Sequence, residues 1–220
     1  MFKVNYLKYF LAGMLLLQAG AALAADRDWW LDIRNDRAAA VERGLRDGID
    51  PNSRNETGEP ALMQAVREDS WKAFDVLLAD RRTDVNILNG MQETPLMYTA
   101  LQGQLERSKA LVARGAQINK LGWAPLHYAA AKGQTEVAAW LVQQGAIVNA
   151  PAPDGTSPLM MAMRANSSSV AQLLIEAGGD PSQRNLNGDD AISMARAYGN
   201  TRLAAALEQV VRERRQAGPR

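Results

Sequence analysis

The side chains that most often carry out catalysis are sparse in this sequence. Its 220 residues include one histidine, His127, and no cysteine, which excludes Cys–His pairs, thiolate metal sites and sites with two histidine ligands. A Ser–His–Asp triad would have to use His127, but the sequence has no G-x-S-x-G turn and no glycine-rich phosphate-binding loop. We therefore predict that the protein is not an enzyme and has no cofactor and no metal site.

The sequence contains a segment that recurs several times along the chain. Residues 93–98, 123–128 and 156–161 are similar to one another, and two weaker copies lie around residues 60–63 and 190–193. The leucine position recurs at intervals of 34, 30, 33 and 33 residues, at Leu62, Leu96, Leu126, Leu159 and Ile192. A second marker recurs with the same period, at Asn52, Asn86, Asn119, Asn149 and Ser182. Two markers with one period indicate a repeat protein.

The recurring segment resembles the T-P-L-H-x-A signature of the ankyrin-repeat family, whose unit of about 33 residues contains two helices and a β-turn. The nearest copy runs from Trp123 to Asn149 and contains the sequence A-P-L-H-Y-A. The resemblance implies an all-α fold, an ankyrin-repeat solenoid of about six helix-turn-helix units joined by β-hairpin fingers. We expect a signal peptide at 1–24, an ankyrin-repeat domain at 25–210 and an Arg-rich tail at 211–220, with units near 26–54, 55–88, 89–121, 122–154, 155–187 and 188–210.

Local signals support helices that begin at the signature. Thr94 and Ser157 are good N-cap residues, and each precedes a proline, which is well tolerated at the first helical position. The finger between Asn119 and Gly122 is three residues shorter than its counterparts, so we expect it to be stunted.

The resemblance also assigns roles to side chains. His127 occupies the signature histidine position, where the ring serves local hydrogen bonding, and the acidic pairs Glu68-Asp69 and Asp189-Asp190 fall on surface turns. A concave protein-binding surface is implied at the fingers and first helices, formed by Glu59, Arg67, Met91, Glu93, Leu101, Trp123, Lys132, Asp154, Arg164, Leu186 and Tyr198. For Trp123 two interpretations stay open, an interface residue or a side chain buried across the short finger.

The start of the chain predicts export. Lys3 and Lys8 precede an apolar run that ends in Ala22-Leu23-Ala24, which is typical of a secretory signal peptide cleaved before Ala25. The alternative is a retained membrane anchor, which needs about 20 apolar residues. We expect a bacterial periplasmic protein with no stable membrane insertion after cleavage.

The balance of positive and negative side chains argues against nucleic acid as a partner, because such binding depends on a strong positive electrostatic field. The whole chain has a formal net charge of +1, which gives no attraction to nucleic acid. We expect a monomer that binds another protein as a regulator or accessory. Some bacterial relatives support a catalase in oxidative stress and others resemble toxin-neutralising proteins. The alternatives are an envelope structural or spacer protein and, in a different class, an enzyme with an unrecognised site.

Overall fold

The computed structural model describes residues 28–217, and within that range it contains helices and turns but no assigned strand. The predicted signal peptide lies outside the described residues. The chain forms two compact units, the first ending at Asp84 and the second beginning at Val85. Each unit is built from pairs of short helices.

The described residues form six helix pairs. In the first unit these are α1 (28–34), α2 (Ala38–Arg46), α3 (Ala61–Arg67) and α4 (Trp71–Ala79). In the second unit they are α5 (Pro95–Leu101), α6 (Leu105–Ala113), α7 (Pro125–Ala131), α8 (Thr135–Gln143), α9 (Pro158–Arg164), α10 (Ser168–Glu176), α11 (Ala191–Ala197) and α12 (Thr201–Ala217). The predicted all-α class with about six helix-turn-helix units is confirmed.

The first helix of most pairs begins where the signature predicts. The hydroxyls of Thr94 and Ser157 each accept a hydrogen bond from the backbone N–H three residues later, at 3.3 Å. Asp190 caps α11 in the same way, accepting from the N–H of Ser193 at 2.8 Å. Each of these caps satisfies a helix N–H that otherwise has no partner in the helix, and contributes about 1 kcal/mol.

In the second unit the first helices stack in chain order, with α5 on α7, α7 on α9 and α9 on α11. The leucines of the signature, such as Leu126 and Leu159, are buried in this stack, and Ala129 and Ala130 are fully buried between neighbouring helices. These small side chains let the helices approach closely, so that each pair buries its apolar face on the next pair.

The first unit has its own core. Ile33, Val41, Leu62, Phe74 and Leu77 are buried there. Trp29 is 3% exposed, and a Cβ added to Gly44 would lie 3.0 Å from its ring. Because Gly44 has no side chain, the Trp29 indole can pack directly against the backbone of α2.

The second repeat marker links each repeat to the next. The side-chain amide of Asn119 donates to the Gly145 carbonyl and its oxygen accepts from the Ile147 N–H, both at 2.9 Å. Three further asparagines make the same pair of bonds, Asn52 to Arg82 and Asp84, Asn86 to Gly115 and Gln117, and Asn149 to Gly178 and Asp180. Ser182, at the last marker, bonds only to Asp180 of its own loop.

The fingers are tight turns in the described structure. In one of them the Gly155 N–H donates to the Ala152 carbonyl at 2.8 Å and the Ala152 N–H donates to the Thr156 carbonyl at 2.9 Å. The same two bonds close the fingers that start at Asn55, Asn89 and Asn185. Strands of the expected β-hairpins are not seen within residues 28–217, where Arg54 and Pro60 form an isolated bridge, because each finger is too short for a ladder.

The shortened finger is stunted, as predicted. No backbone hydrogen bond closes the chain between Asn119 and Trp123 among the described residues. Leu121 lies at its tip and is 97% exposed.

The last helix, α12, is longer than the others and continues without a break to Ala217. Residues 211–217, which the sequence analysis assigns to an Arg-rich tail, are thus its final turns. Arg214 donates to the carbonyls of Gly179 and Ile175 at 2.7 and 3.0 Å. Ile175 lies in the last turn of α10 and Gly179 in the loop after it, so this arginine joins α12 to the end of α10.

Candidate functional site

His127 is a structural residue that links two repeats. Its side chain is fully buried, its Nδ1 accepts from the Ala124 N–H at 3.2 Å, and its Nε2 lies 3.1 Å from the Thr156 carbonyl oxygen. A carbonyl can only accept, so Nε2 carries the proton and the ring is neutral. Burial lowers the pKa of His127, which favours this neutral form. The predicted role in local hydrogen bonding is confirmed.

A cleft of about 460 Å³ opens beside this histidine in the second unit. Four of the predicted binding residues line it together, namely Leu101, Trp123, Lys132 and Arg164. They come from the end of α5, the short finger, and the ends of α7 and α9, which the stacking of first helices brings side by side. This cleft is the best candidate for a functional site.

The depression in the cleft follows from one small residue. Leu101, Ala131 and Arg164 are the last residues of α5, α7 and α9, so they occupy the same register in three consecutive helices. Ala131 is the smallest of the lining residues, and in this register it falls between the longer side chains of Leu101 and Arg164. Met161 completes the lining from α9.

Trp123 forms one wall and is half-buried rather than buried across the short finger. Its ring contacts the ring of His127 edge-to-face, with centroids 5.3 Å apart, and that of Tyr128 at 6.5 Å. Edge-to-face pairs are favoured by the ring quadrupoles. The indole is therefore held in one orientation while part of it still faces the cleft.

Two cations lie at the rim of the cleft. Arg164 ends α9 and Lys132 is the C-cap of α7, and both side chains are exposed. Neither side chain has an ion pair or a hydrogen bond among residues 28–217, and no carboxylate lines the cleft. Their place at helix C-termini is favourable, because the helix dipole is negative there.

Glu93 belongs to the support of the cleft. Its Oε1 accepts from the Tyr128 hydroxyl at 2.5 Å, and its Oε2 accepts from Tyr98 at 3.0 Å and from the Asn89 side chain at 2.8 Å. Burial and this hydrogen bond raise the pKa of Tyr128 far above its usual range, so the hydroxyl stays protonated. The carboxylate fixes the tyrosine that packs against Trp123.

The other predicted residues of the second unit lie outside the lining. Met91 and Leu186 are exposed at finger tips, 67% and 81% respectively, and Asp154 is an exposed residue that caps its own turn by accepting from the Thr156 N–H. Tyr198 is 49% exposed at the end of α11. Any contribution of these four residues to binding stays a prediction.

Glu59 and Arg67 belong to the first unit. Glu59 is buried, and its Oε2 lies 3.1 Å from the Arg67 guanidinium. This ion pair holds the finger before α3 to the end of that helix, and its role in binding stays a prediction.

Sequence reasoning did not assign Tyr128, Ala131 or Met161 to a binding surface, nor the exposed Leu121. Tyr128 and Met161 line the cleft, and each lies three residues before a position in register with Leu101, so helical spacing contained the signal. Leu121 was missed because the short finger has no turn that marks its tip.

The comparisons with known proteins agree with this structure. A family model for ankyrin repeats matches in three copies, over residues 31–121, 62–152 and 118–185. The chain therefore belongs to the ankyrin-repeat family, whose repeats form protein–protein interaction modules. A segment of 100 residues is 35% identical to the Neurogenic locus Notch protein of Drosophila melanogaster, and the match covers 41% of this chain and 4% of that protein.

Within residues 28–217, no cluster of three or more His, Cys, Asp or Glu residues is placed to hold a metal ion. No helix in the same range has the length and apolarity needed to cross a membrane.

Proposed function

We propose that this chain is an exported, non-catalytic ankyrin-repeat module that binds a partner protein and acts as its regulator or accessory. The cleft of the second unit is the observation that carries the proposal. It combines a half-buried tryptophan with two cations that have no carboxylate partner among the described residues. An apolar centre with a charged rim is the usual anatomy of a protein interface, and tryptophan and arginine are enriched among residues that dominate binding energy.

The location of this activity is part of the proposal. The signal-peptide pattern around Lys3, Lys8 and Ala24 supports export to a bacterial periplasm. Expression of the whole chain followed by periplasmic extraction and mass spectrometry tests it. We expect a product beginning at Ala25, and recovery of only uncleaved chain in the membrane fraction would contradict export of a free protein.

Partner capture tests the binding function. The chain from Ala25 onward, immobilised and incubated with periplasmic extract, is expected to enrich a specific protein over the variant Trp123→Ala/Lys132→Glu. A matched control, Trp140→Ala/Lys72→Glu, changes the same residue types on the second helices α8 and α4 and should capture like wild type. If wild type and the cleft variant capture the same proteins equally, the cleft is not the binding surface.

A hydrolase substrate panel tests the non-catalytic part of the proposal. The neutral, buried His127 is engaged at both ring nitrogens, so it cannot serve as a general base without breaking the link between repeats. We expect no turnover by the purified chain. Turnover that persists in the His127→Met variant would point to a site elsewhere.

A further inference from the structure

We infer that the cleft beside Trp123 recognises an acidic segment of the partner protein. In this arrangement an apolar side chain enters the depression over Ala131, and a neighbouring carboxylate pairs with Lys132 and Arg164. The inference rests on the proposed protein-binding function and adds the chemistry of the segment that is bound.

The shape of the cleft fits an apolar anchor. Its volume of about 460 Å³ lies within the range of sites that enclose small ligands or large side chains. Leu101, Trp123, Ala131 and Met161 all line the cleft, and Ala131 has the smallest side chain among them. A large apolar side chain would gain contacts with all four residues and would cover the exposed part of the indole.

The positive charges of Lys132 and Arg164 favour an acidic residue next to the apolar anchor in the partner's segment. Lys132 and Arg164 are positively charged residues at the rim. Among residues 28–217, the carboxylate that bonds to a lining residue is that of Glu93, which is already engaged by Asn89 and two tyrosines. A lysine or arginine brought to this rim would meet like charges. A partner carboxylate would form charge-assisted hydrogen bonds, and Arg164 is able to form two in parallel.

A protein segment fits the surroundings better than nucleic acid or a small anion. Two cations in a chain of net charge +1 do not form the basic stripe that several phosphates need. Leu121, two residues before Trp123, is 97% exposed and apolar. Together with the exposed part of Trp123 it offers apolar surface that a protein segment can cover.

Selection from a phage-displayed library of random peptides of about twelve residues tests the inference. Against the wild-type chain from Ala25 onward, we expect enrichment of peptides in which Asp or Glu lies next to Leu, Met, Phe or Trp. Against the double variant Lys132→Glu/Arg164→Glu, we expect these peptides to be lost and basic peptides to replace them. The matched variant Lys72→Glu/Arg202→Glu has the same change in net charge on α4 and α12 and should select the wild-type peptides.

A second variant separates the anchor from the charges. Ala131→Trp fills the depression and leaves both cations in place. For the best selected peptide, fluorescence anisotropy should show Kd rising about tenfold or more in Ala131→Trp and in the charge-reversed variant. Thermal unfolding confirms that each variant is folded before it is used.

Three results would overturn the inference. They are selection of no peptide above background, enrichment of peptides without acidic residues, and selection of the same peptides by wild type and the charge-reversed variant. Capture of a periplasmic partner that is unaffected by Lys132→Glu/Arg164→Glu would also overturn it while leaving the binding function intact. Failure of the wild-type chain to capture any protein would instead contradict the proposed function.

Discussion

The side chain of Asn119 and the backbone of Ile147 are joined by a hydrogen bond of 2.9 Å that crosses from one repeat to the next. With the bond from Asn119 to the Gly145 carbonyl, it satisfies a donor and an acceptor in the loop that follows α8. Within residues 28–217, four asparagines make this pair of bonds. The marker that reveals the period in the sequence is thus also the residue that couples neighbouring repeats.

Replacement of Asn119 by alanine should weaken this coupling. Each hydrogen bond contributes about 1 kcal/mol, and both lie at the surface where water can replace part of them. We expect Asn119→Ala to lower the free energy of unfolding by about 1 to 2 kcal/mol in urea titrations. Ser182→Ala, which removes contacts only within its own loop, serves as the control and should cost less. Equal losses in the two variants would show that the bridge to the next repeat contributes nothing.

The buried histidine predicts a pH dependence of stability. Burial lowers the pKa of His127 from the usual 6.5, so the unfolded chain takes up a proton at a higher pH than the folded chain. The contribution of the neutral ring is complete above the unfolded pKa and is lost as pH falls through the folded pKa. Between about pH 7.5 and about pH 5, wild type should therefore lose more stability than His127→Met.

Methionine is the matched replacement for that test. Met97 and Met160 occupy the same signature position, where each sulfur accepts from the N-cap N–H at 3.4 Å. Both proteins contain the same carboxylates, so the difference between their stabilities across this pH range reports the contribution of the histidine. Parallel loss of stability in wild type and His127→Met would contradict a lowered pKa.

One finger holds a residue in a backbone conformation that favours glycine. Gln92 has φ of 63°, at the turn position where Gly58, Gly155 and Gly188 occur in other fingers. Non-glycine residues pay about 1 kcal/mol for this region, partly offset by the greater flexibility of glycine in the unfolded chain. We expect Gln92→Gly to raise the melting temperature by a few degrees, on the order of 2 °C.

The reciprocal change at Gly155 should destabilise the protein. Its φ is 81°, and an added Cβ would lie 3.0 Å from the Asn185 Cα in the next finger. Gly155→Ala should therefore lower the free energy of unfolding by about 1 to 3 kcal/mol. An increase in stability in Gly155→Ala, or a decrease in Gln92→Gly, would contradict this account of the fingers.

Glu93 should matter for stability even in the absence of a partner. Removing its carboxylate takes away the acceptor of the Tyr128 hydroxyl and one hydrogen-bond partner each of the Tyr98 hydroxyl and the Asn89 amide. We expect Glu93→Ala to lower the free energy of unfolding by about 1 to 3 kcal/mol. Glu136→Ala, at an exposed position in the first turn of α8, should cost less. If Glu93→Ala unfolds like wild type yet fails to bind, Glu93 acts at the interface instead.

The sequence was sufficient for features that depend on local chemistry. The periodic leucines and the caps at Thr94 and Ser157 predicted the helix pairs, since capping and helical spacing depend on residues a few positions apart. The short finger was also predictable, because counting residues between Asn119 and Gly122 is enough.

Contacts across repeats were not predictable in the same way. The bond between Glu93 and Tyr128 joins residues 35 positions apart, and it exists because α5 and α7 stack in one particular register. The same stacking leaves Trp123 half-buried against His127 while part of its ring lines the cleft. This outcome lies between the two interpretations that the sequence left open, an interface residue and a buried side chain. Single positions in a repeat pattern do not encode such pairings.

Ser182 stands where the other markers have asparagine, and its hydroxyl and N–H bond to Asp180 of the same loop. A repeat inserted after Asn52, Asn86, Asn119 or Asn149 would find an amide ready to receive its loop, whereas one appended after Ser182 would not. Internal duplication and deletion of whole units are therefore the changes in length that this architecture accommodates. We expect variants that duplicate or delete one whole unit at an asparagine marker to fold more readily than variants that insert a unit directly after Ser182.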